Sequence, residues 1–195
     1  MCRIWFILWL LVLSVLPIAE LKAQEAPAFR NAITVKAFGL SIHLKESPYP
    51  EIFPNRLDDK GYATVNYGGI VGYDRFVIGN DLSVRAEQGF YADCAASMAG
   101  FTHIGFRGKI FRKGRHEING GIGPTLVYRH DWNRLEGYID DGYFRKRGDW
   151  QYKFYWYGGE FEYNYQLSAQ NDLSITLIPG IPEVVSFGIG FRRRY

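Results

Sequence analysis

Along most of this chain apolar and polar residues alternate with a period of two, which is the mark of strands with unlike faces. The pattern is plainest near the C-terminus, where Val185, Phe187, Ile189 and Phe191 alternate with Ser186, Gly188, Gly190 and Arg192. It returns where Phe161, Tyr163, Tyr165 and Leu167 interleave with Glu160, Glu162, Asn164 and Gln166. Read this way, the chain predicts eight strands, near 32–44, 62–75, 81–92, 98–111, 115–130, 151–167, 171–179 and 184–194.

The connections alternate as well. Long or rim-side loops at 45–61, 93–97, 131–150 and 180–183 take turns with short ones at 76–80, Lys113-Gly114 and Ser168-Ala169-Gln170. A soluble sandwich has no means of placing two glutamates and an asparagine on an inner face without partners. Turned inside out, with the apolar face outward and the polar face inward, the pattern fits a sheet closed on itself in lipid, where every edge hydrogen bond must be satisfied. The predicted fold is therefore all-β, an eight-stranded antiparallel transmembrane outer-membrane β-barrel. A secreted barrel of the lipocalin kind also has eight strands, but the aromatic end of the last strand, Tyr195, and the many tyrosines suited to a membrane interface argue against it.

Composition changes little in this picture and sharpens its class. Aromatic residues make up 17% of the chain, beside 22 glycines and only two methionines, unlike an ordinary helical enzyme. A formal charge of +3, dispersed along the sequence, gives no argument for a nucleic-acid partner. At the N-terminus, Arg3, an apolar run from Ile4 to Ile18 and the small residue Ala23 predict a signal peptide over 1–23, leaving a single barrel domain over 24–195. Cys2 lies in that leader, so the exported chain keeps Cys94 alone and forms no internal disulfide.

With both termini on the periplasmic side, the first strand runs outward and the long loops face outside the cell. His43 and the pair Asp93-Cys94 then share the outer rim. His43 ends the first strand on the inward parity of Gly39 and Ser41, and Asp93 follows Ser83, Arg85, Glu87 and Gly89 on the inward parity of the third. Cys94, by the same parity, points away from the interior. Inward positions also offer Arg107, Lys109, Glu117, Arg129, Glu160 and Glu162, enough charge to pair across much of a small barrel.

These residues resemble a known family, the PagP lipid A palmitoyltransferases of the outer membrane. The resemblance rests on the histidine in Ser41-Ile42-His43-Leu44 and the glycine-rich run Asn66-Tyr67-Gly68-Gly69-Ile70-Val71-Gly72. It rests also on Asp93-Cys94 after the third strand, Gly121-Ile122-Gly123, and Ile178-Pro179-Gly180 before a last strand ending in an aromatic. It implies transfer of a fatty acyl chain from phospholipid to lipid A, with membrane lipids as partners, a monomeric barrel, and no cofactor or metal. Two departures stand out: cysteine replaces the family's serine, and only a short segment, Gln24 to Asn31, precedes the first strand, where the family carries an amphipathic helix.

On that reading His43 is the general base and Asp93 orients or charges its imidazole. Cys94 is a candidate nucleophile, since a thiolate is reactive and a nearby imidazole lowers a thiol's pKa, with Ser97 as the alternative hydroxyl. His103 is a competing base deeper in the barrel. Pro124 and Pro179 remove ladder hydrogen bonds, and the basic residues Arg134, Arg145, Lys146 and Arg147 of the loop 131–150 are candidates for binding lipid A phosphates. The rival expectation is a non-enzymatic small barrel of the OmpX or OmpA type, serving adhesion, binding or membrane structure. An interior filled with charge pairs favours the rival; a low-polarity cavity opening beside His43 favours the enzyme.

Overall fold

The computed structural model describes residues 29–180 and 184–195. The expected signal peptide lies outside the described residues, as does most of the last expected loop. Strands follow in the order β1 (Asn31–His43), β2 (Ala63–Ile78), β3 (Leu82–Ala92), β4 (Met98–Lys113), β5 (His116–His130), β6 (Arg145–Arg147), β7 (Trp150–Gln166), β8 (Asn171–Gly180) and β9 (Val184–Arg194). Every pairing is antiparallel. Neighbours run β1 to β5, then β7, β8 and β9, and β9 pairs with β1 to close an eight-stranded barrel. The short β6 is a hairpin flap on β7 within the loop 131–149, where a charged run without alternation gave no strand signal.

Closure follows from the inverted pattern. Val35, Val71, Phe90, Ile104, Phe106, Phe154, Trp156, Phe161 and Phe191 stand exposed on the outer surface, while Thr34, Asp74, Arg85, Glu87, Arg107, Glu160, Glu162 and Arg192 are buried within. No soluble protein of this size leaves so continuous an apolar surface bare, so the belt marks the lipid-facing wall of a membrane-spanning barrel.

Two strands, β1 and β7, depart from simple parity; β7 turns Gln151 inward near one end and Glu160, Glu162 and Asn164 inward near the other. The pairing of β1 with β9 slips between Phe38↔Gly188 and Ser41↔Ser186, leaving one extra residue on β1, a β-bulge at Gly39. Before it, Ala32, Thr34, Lys36 and Phe38 point inward; after it, Ser41 does, with His43 on the same side. The extra residue thus changes the inward set from even to odd numbers. It brings Lys36 into the lumen, where uninterrupted alternation had not placed it. Pro124 lies opposite another bulge, whose extra residue is on β7 between Tyr155 and Gly158, and pairing of β5 with β7 resumes at Thr125↔Tyr155.

The wall does thin elsewhere. Pairing of β7 with β8 runs from Gln166↔Asp172 only to Phe161↔Leu177, and beyond that point β7 keeps only its contacts to β5 and β6. The end of β8 opposite this gap is Ile178-Pro179-Gly180, which pairs with β9 alone.

Candidate functional site

The lumen has two halves. In the half nearer the chain termini, six cations (Lys36, Arg85, Arg107, Lys109, Arg192, Arg194) meet six carboxylates (Asp74, Glu87, Glu117, Glu160, Glu162, Asp172). Arg85 grips Asp74 with two parallel bonds, Nε to Oδ1 at 2.8 Å and Nη2 to Oδ2 at 2.9 Å, and its Nη1 reaches Glu160. Lys36 Nζ donates to Glu162 Oε2 at 2.8 Å, and Arg107 Nε donates to Glu162 Oε1 at 2.9 Å. Equal numbers of opposite charges let each ion find a partner in a space where an unpaired charge costs several kcal/mol. This network fills the lower barrel.

Above it the lumen is different in kind. A cavity of about 740 Å³ opens there, within the range of about 300–1,000 Å³ usual for small-molecule sites. Phe38, Tyr91, Phe101, Val127 and Ile178 line it, as part of an apolar cluster that also holds Ile70. Phe101 lies in the lumen because Gly89 across from it has no side chain: a Cβ there would come within 2.4 Å of the ring. Gly158 has a similar office, since its Cβ would fall 2.1 Å from Thr125 Oγ1. The residues flanking the β7/β8 gap, Gly158, Gly159, Ile178, Pro179 and Gly180, belong to this cavity's lining.

An aromatic cap formed by the outer loops closes much of the mouth. Phe53, Cys94, Ala95 and Trp132 are buried together, with Ile52, Leu135 and Tyr138 against them. The loop 44–62 that carries Phe53 is held by Asp58, whose carboxylate accepts the backbone N–H groups of Lys60, Tyr62 and Ala63.

The expected site residues His43, Asp93 and Cys94 all line this cavity. His43 stacks on Phe53, with ring centroids 5.5 Å apart, and Phe53 meets Trp132 edge-on at 5.9 Å. Asp93 lies on the far side of that stack. Its Oδ2 accepts Trp132 Nε1–H at 2.8 Å, and its Oδ1 accepts the backbone N–H groups of Ala95 at 3.0 Å and Ser97 at 2.9 Å. His43 and Asp93 therefore share the rim without a hydrogen bond between them among the described residues. The carboxylate instead organises the turn 93–97, which needs a left-handed residue at Ala96, φ 54°, and ties it to the loop 131–149.

Burial raises the Asp93 carboxyl's pKa, and the donors from Ser97 and Trp132 offset this only in part. Burial also drives the Cys94 thiol well above its ordinary value, with the adjacent Asp93 adding to the shift. A thiol so placed stays protonated at neutral pH. Because β3 ends at Ala92, the strand parity that aimed Cys94 outward does not reach it, and the turn folds it into the cap. Ser97 gives its backbone N–H to Asp93, and its own carbonyl accepts from Asp93 N. His103 is buried lower in the cavity, its Nδ1 2.7 Å from Thr125 Oγ1.

Sequence reasoning missed Arg129 as more than a generic inward charge. Its guanidinium lies 3.6 Å from the Trp132 ring centroid and 4.1 Å from that of Phe144, at the cavity's mouth. The signal was present in the aromatic residues of the loop 131–150, yet which of them fold back over the lumen depends on contacts far apart in sequence.

No protein-family model matches the chain, and no curated protein matches its sequence. Among solved structures it is similar to Ail, the attachment invasion locus protein of Yersinia pestis, with a TM-score of 0.50, 11% identity, and coverage of 86% of this chain and 99% of that one. The N-terminal β-barrel domain of Pseudomonas aeruginosa OprF matches at a TM-score of 0.46 and 11% identity over 86% and 99% of the two chains. Neisserial surface protein A matches at 0.47 and 12% over 85% and 97%. At such identities the likeness is one of fold. The protein is a small eight-stranded outer-membrane β-barrel, and its neighbours lend no support to acyl transfer.

Proposed function

We propose that this protein is a non-enzymatic outer-membrane barrel that binds an apolar ligand in the outer half of its lumen. The observation that carries this reading is the cavity of about 740 Å³ walled by Phe38, Tyr91, Phe101, Val127 and Ile178 above a closed charge network. Apolar walls favour an apolar occupant, because water there finds few partners and leaves readily. The polar network below bars passage through the barrel, so the site holds a ligand and does not conduct it. The gap between β7 and β8, on the same cavity, supports sideways entry of a lipid tail from the outer leaflet.

Binding of a neutral alkyl probe, myristyl alcohol, to the refolded barrel tests the reading. Val127→Trp, which fills the cavity, should abolish binding while heat-modifiable gel migration stays intact. Equal binding to both proteins would place the probe on the outer surface and reject the cavity as the site.

Transfer of an acyl chain from phospholipid to lipid A is the second reading, and one observation favours it: His43 lines the same apolar cavity at the outer rim. Against it stand the engagement of Asp93 with Trp132 and the protonated Cys94 thiol. Mass spectrometry of lipid A from a Gram-negative strain with and without the protein separates the two. A gain of one acyl chain, lost on His43→Ala, would establish the enzyme; an unchanged lipid A with a folded barrel favours the binding protein.

A further inference from the structure

The cations of the inner network each hold a carboxylate, and Arg129 does not. Its Nε donates to Gln151 Oε1 at 2.8 Å and its Nη2 to the Tyr138 hydroxyl at 3.1 Å, both neutral acceptors. Nη1 has no partner among the described residues, and no carboxylate there lies within ion-pair distance of the guanidinium. The two acidic residues of the cavity's mouth direct their hydrogen bonds elsewhere, and Asp93 acts on Arg129 only through its charge at longer range. Asp93 accepts from Trp132, Ala95 and Ser97, and Asp141 accepts the backbone N–H of Tyr143 at 2.9 Å. Trp132 and Phe144 lie against the guanidinium and fix its plane.

Arg129 also stands at a particular level. On β5 it is followed inward by Val127, which pairs with Phe101, and then by Thr125, which pairs with His103. A fixed cation with an idle amino group thus sits at the mouth, and an apolar shaft leads down from it. We propose that the occupant of this cavity is a single-chain anionic amphiphile whose carboxylate or phosphate head binds Arg129 and whose alkyl chain lies along Val127, Phe101 and Ile178. The inference rests on the cavity-binding reading above and adds the charge of the ligand's head. A charged acceptor on a guanidinium is among the stronger hydrogen bonds, and the planar fork suits the two oxygens of such a head.

Competition between myristate and myristyl alcohol for the refolded barrel, read by native mass spectrometry, tests it. The acid should be retained over the alcohol by about tenfold or more, as a charge-assisted bond implies. Arg129→Gln should bring that ratio close to one while the alcohol still binds, and Arg129→Lys should keep part of the preference. Monomyristoyl lysophosphatidate, run in parallel, tells a phosphate head from a carboxylate by which is retained better. Equal retention of acid and alcohol by the unaltered protein would overturn the proposal and leave the apolar cavity standing, with no need of a variant that folds. A preference for acid that survives Arg129→Gln would also overturn it. Retention of neither ligand would reject the cavity reading itself.

Discussion

The two halves of the lumen are built from the same strands and solve opposite problems. In the inner half, Arg85, Lys36 and Arg107 converge on Asp74, Glu160 and Glu162, so that long polar side chains fill the space and neutralise each other. In the outer half the inward positions pass to Gly89, Gly158, Phe101, Val127 and Thr125, and the smaller side chains leave a cavity among them. Residue size accounts for the change. Where inward residues are long and charged the barrel is a solid rod, and where glycines alternate with aromatic rings it is a cup. The comparison teaches that an outer-membrane barrel of only eight strands has room for a ligand only where its sequence withholds side chains.

Substitutions that break this division should differ in size. The largest effect is expected for Arg85→Met, which removes the bidentate partner of Asp74 and leaves Glu160 to Lys36 and Thr176 in the inner half. Removal of one partner from a buried ion network costs about 3–5 kcal/mol, and the urea midpoint of barrel unfolding should fall accordingly. An unchanged midpoint would mean that water reaches the network and the rod is not solid.

At the cup's rim, Trp132→Phe keeps an aromatic ring in the cap but removes the indole donor to Asp93. The loss should be about 1–3 kcal/mol of local stability, felt at the turn 93–97 and not in the barrel as a whole. Hydrogen exchange should speed at the amides of Ala95 and Ser97 while those of β3 and β4 stay protected; uniform speeding would show that the cap and barrel open together. Smaller still is the expectation for Cys94→Ser, which should leave ligand binding within about twofold, an energy change under about 0.5 kcal/mol. The thiol itself should resist maleimide at neutral pH until denaturant is added, because burial keeps it protonated and covered. Rapid labelling of the folded protein would return Cys94 to consideration as a nucleophile.

Much of the barrel was legible in the sequence because its signal is local and periodic. Each strand announces itself by alternation, and the two glutamates flanking Phe161 settle which face turns inward. The bulge at Gly39 was not legible, since a glycine that absorbs an extra residue looks like any other in a single chain, and with it went the inward placement of Lys36. Asp93 was read as a catalytic partner by its position near His43 along the rim. Its commitment to Trp132 depends on a loop that folds back from 39 residues away, and no periodicity records such a contact. The cavity was invisible for a further reason: it is made by side chains that are absent, and by a strand pairing that stops at Phe161↔Leu177.

A crystal structure of the refolded barrel grown with a brominated alkyl ligand tests the division most directly. The account predicts an anomalous bromine peak inside the outer half, among Phe101, Val127 and Ile178, and none below Glu160. Bromine found only against the outer wall, with the upper lumen closed by side chains, would contradict it.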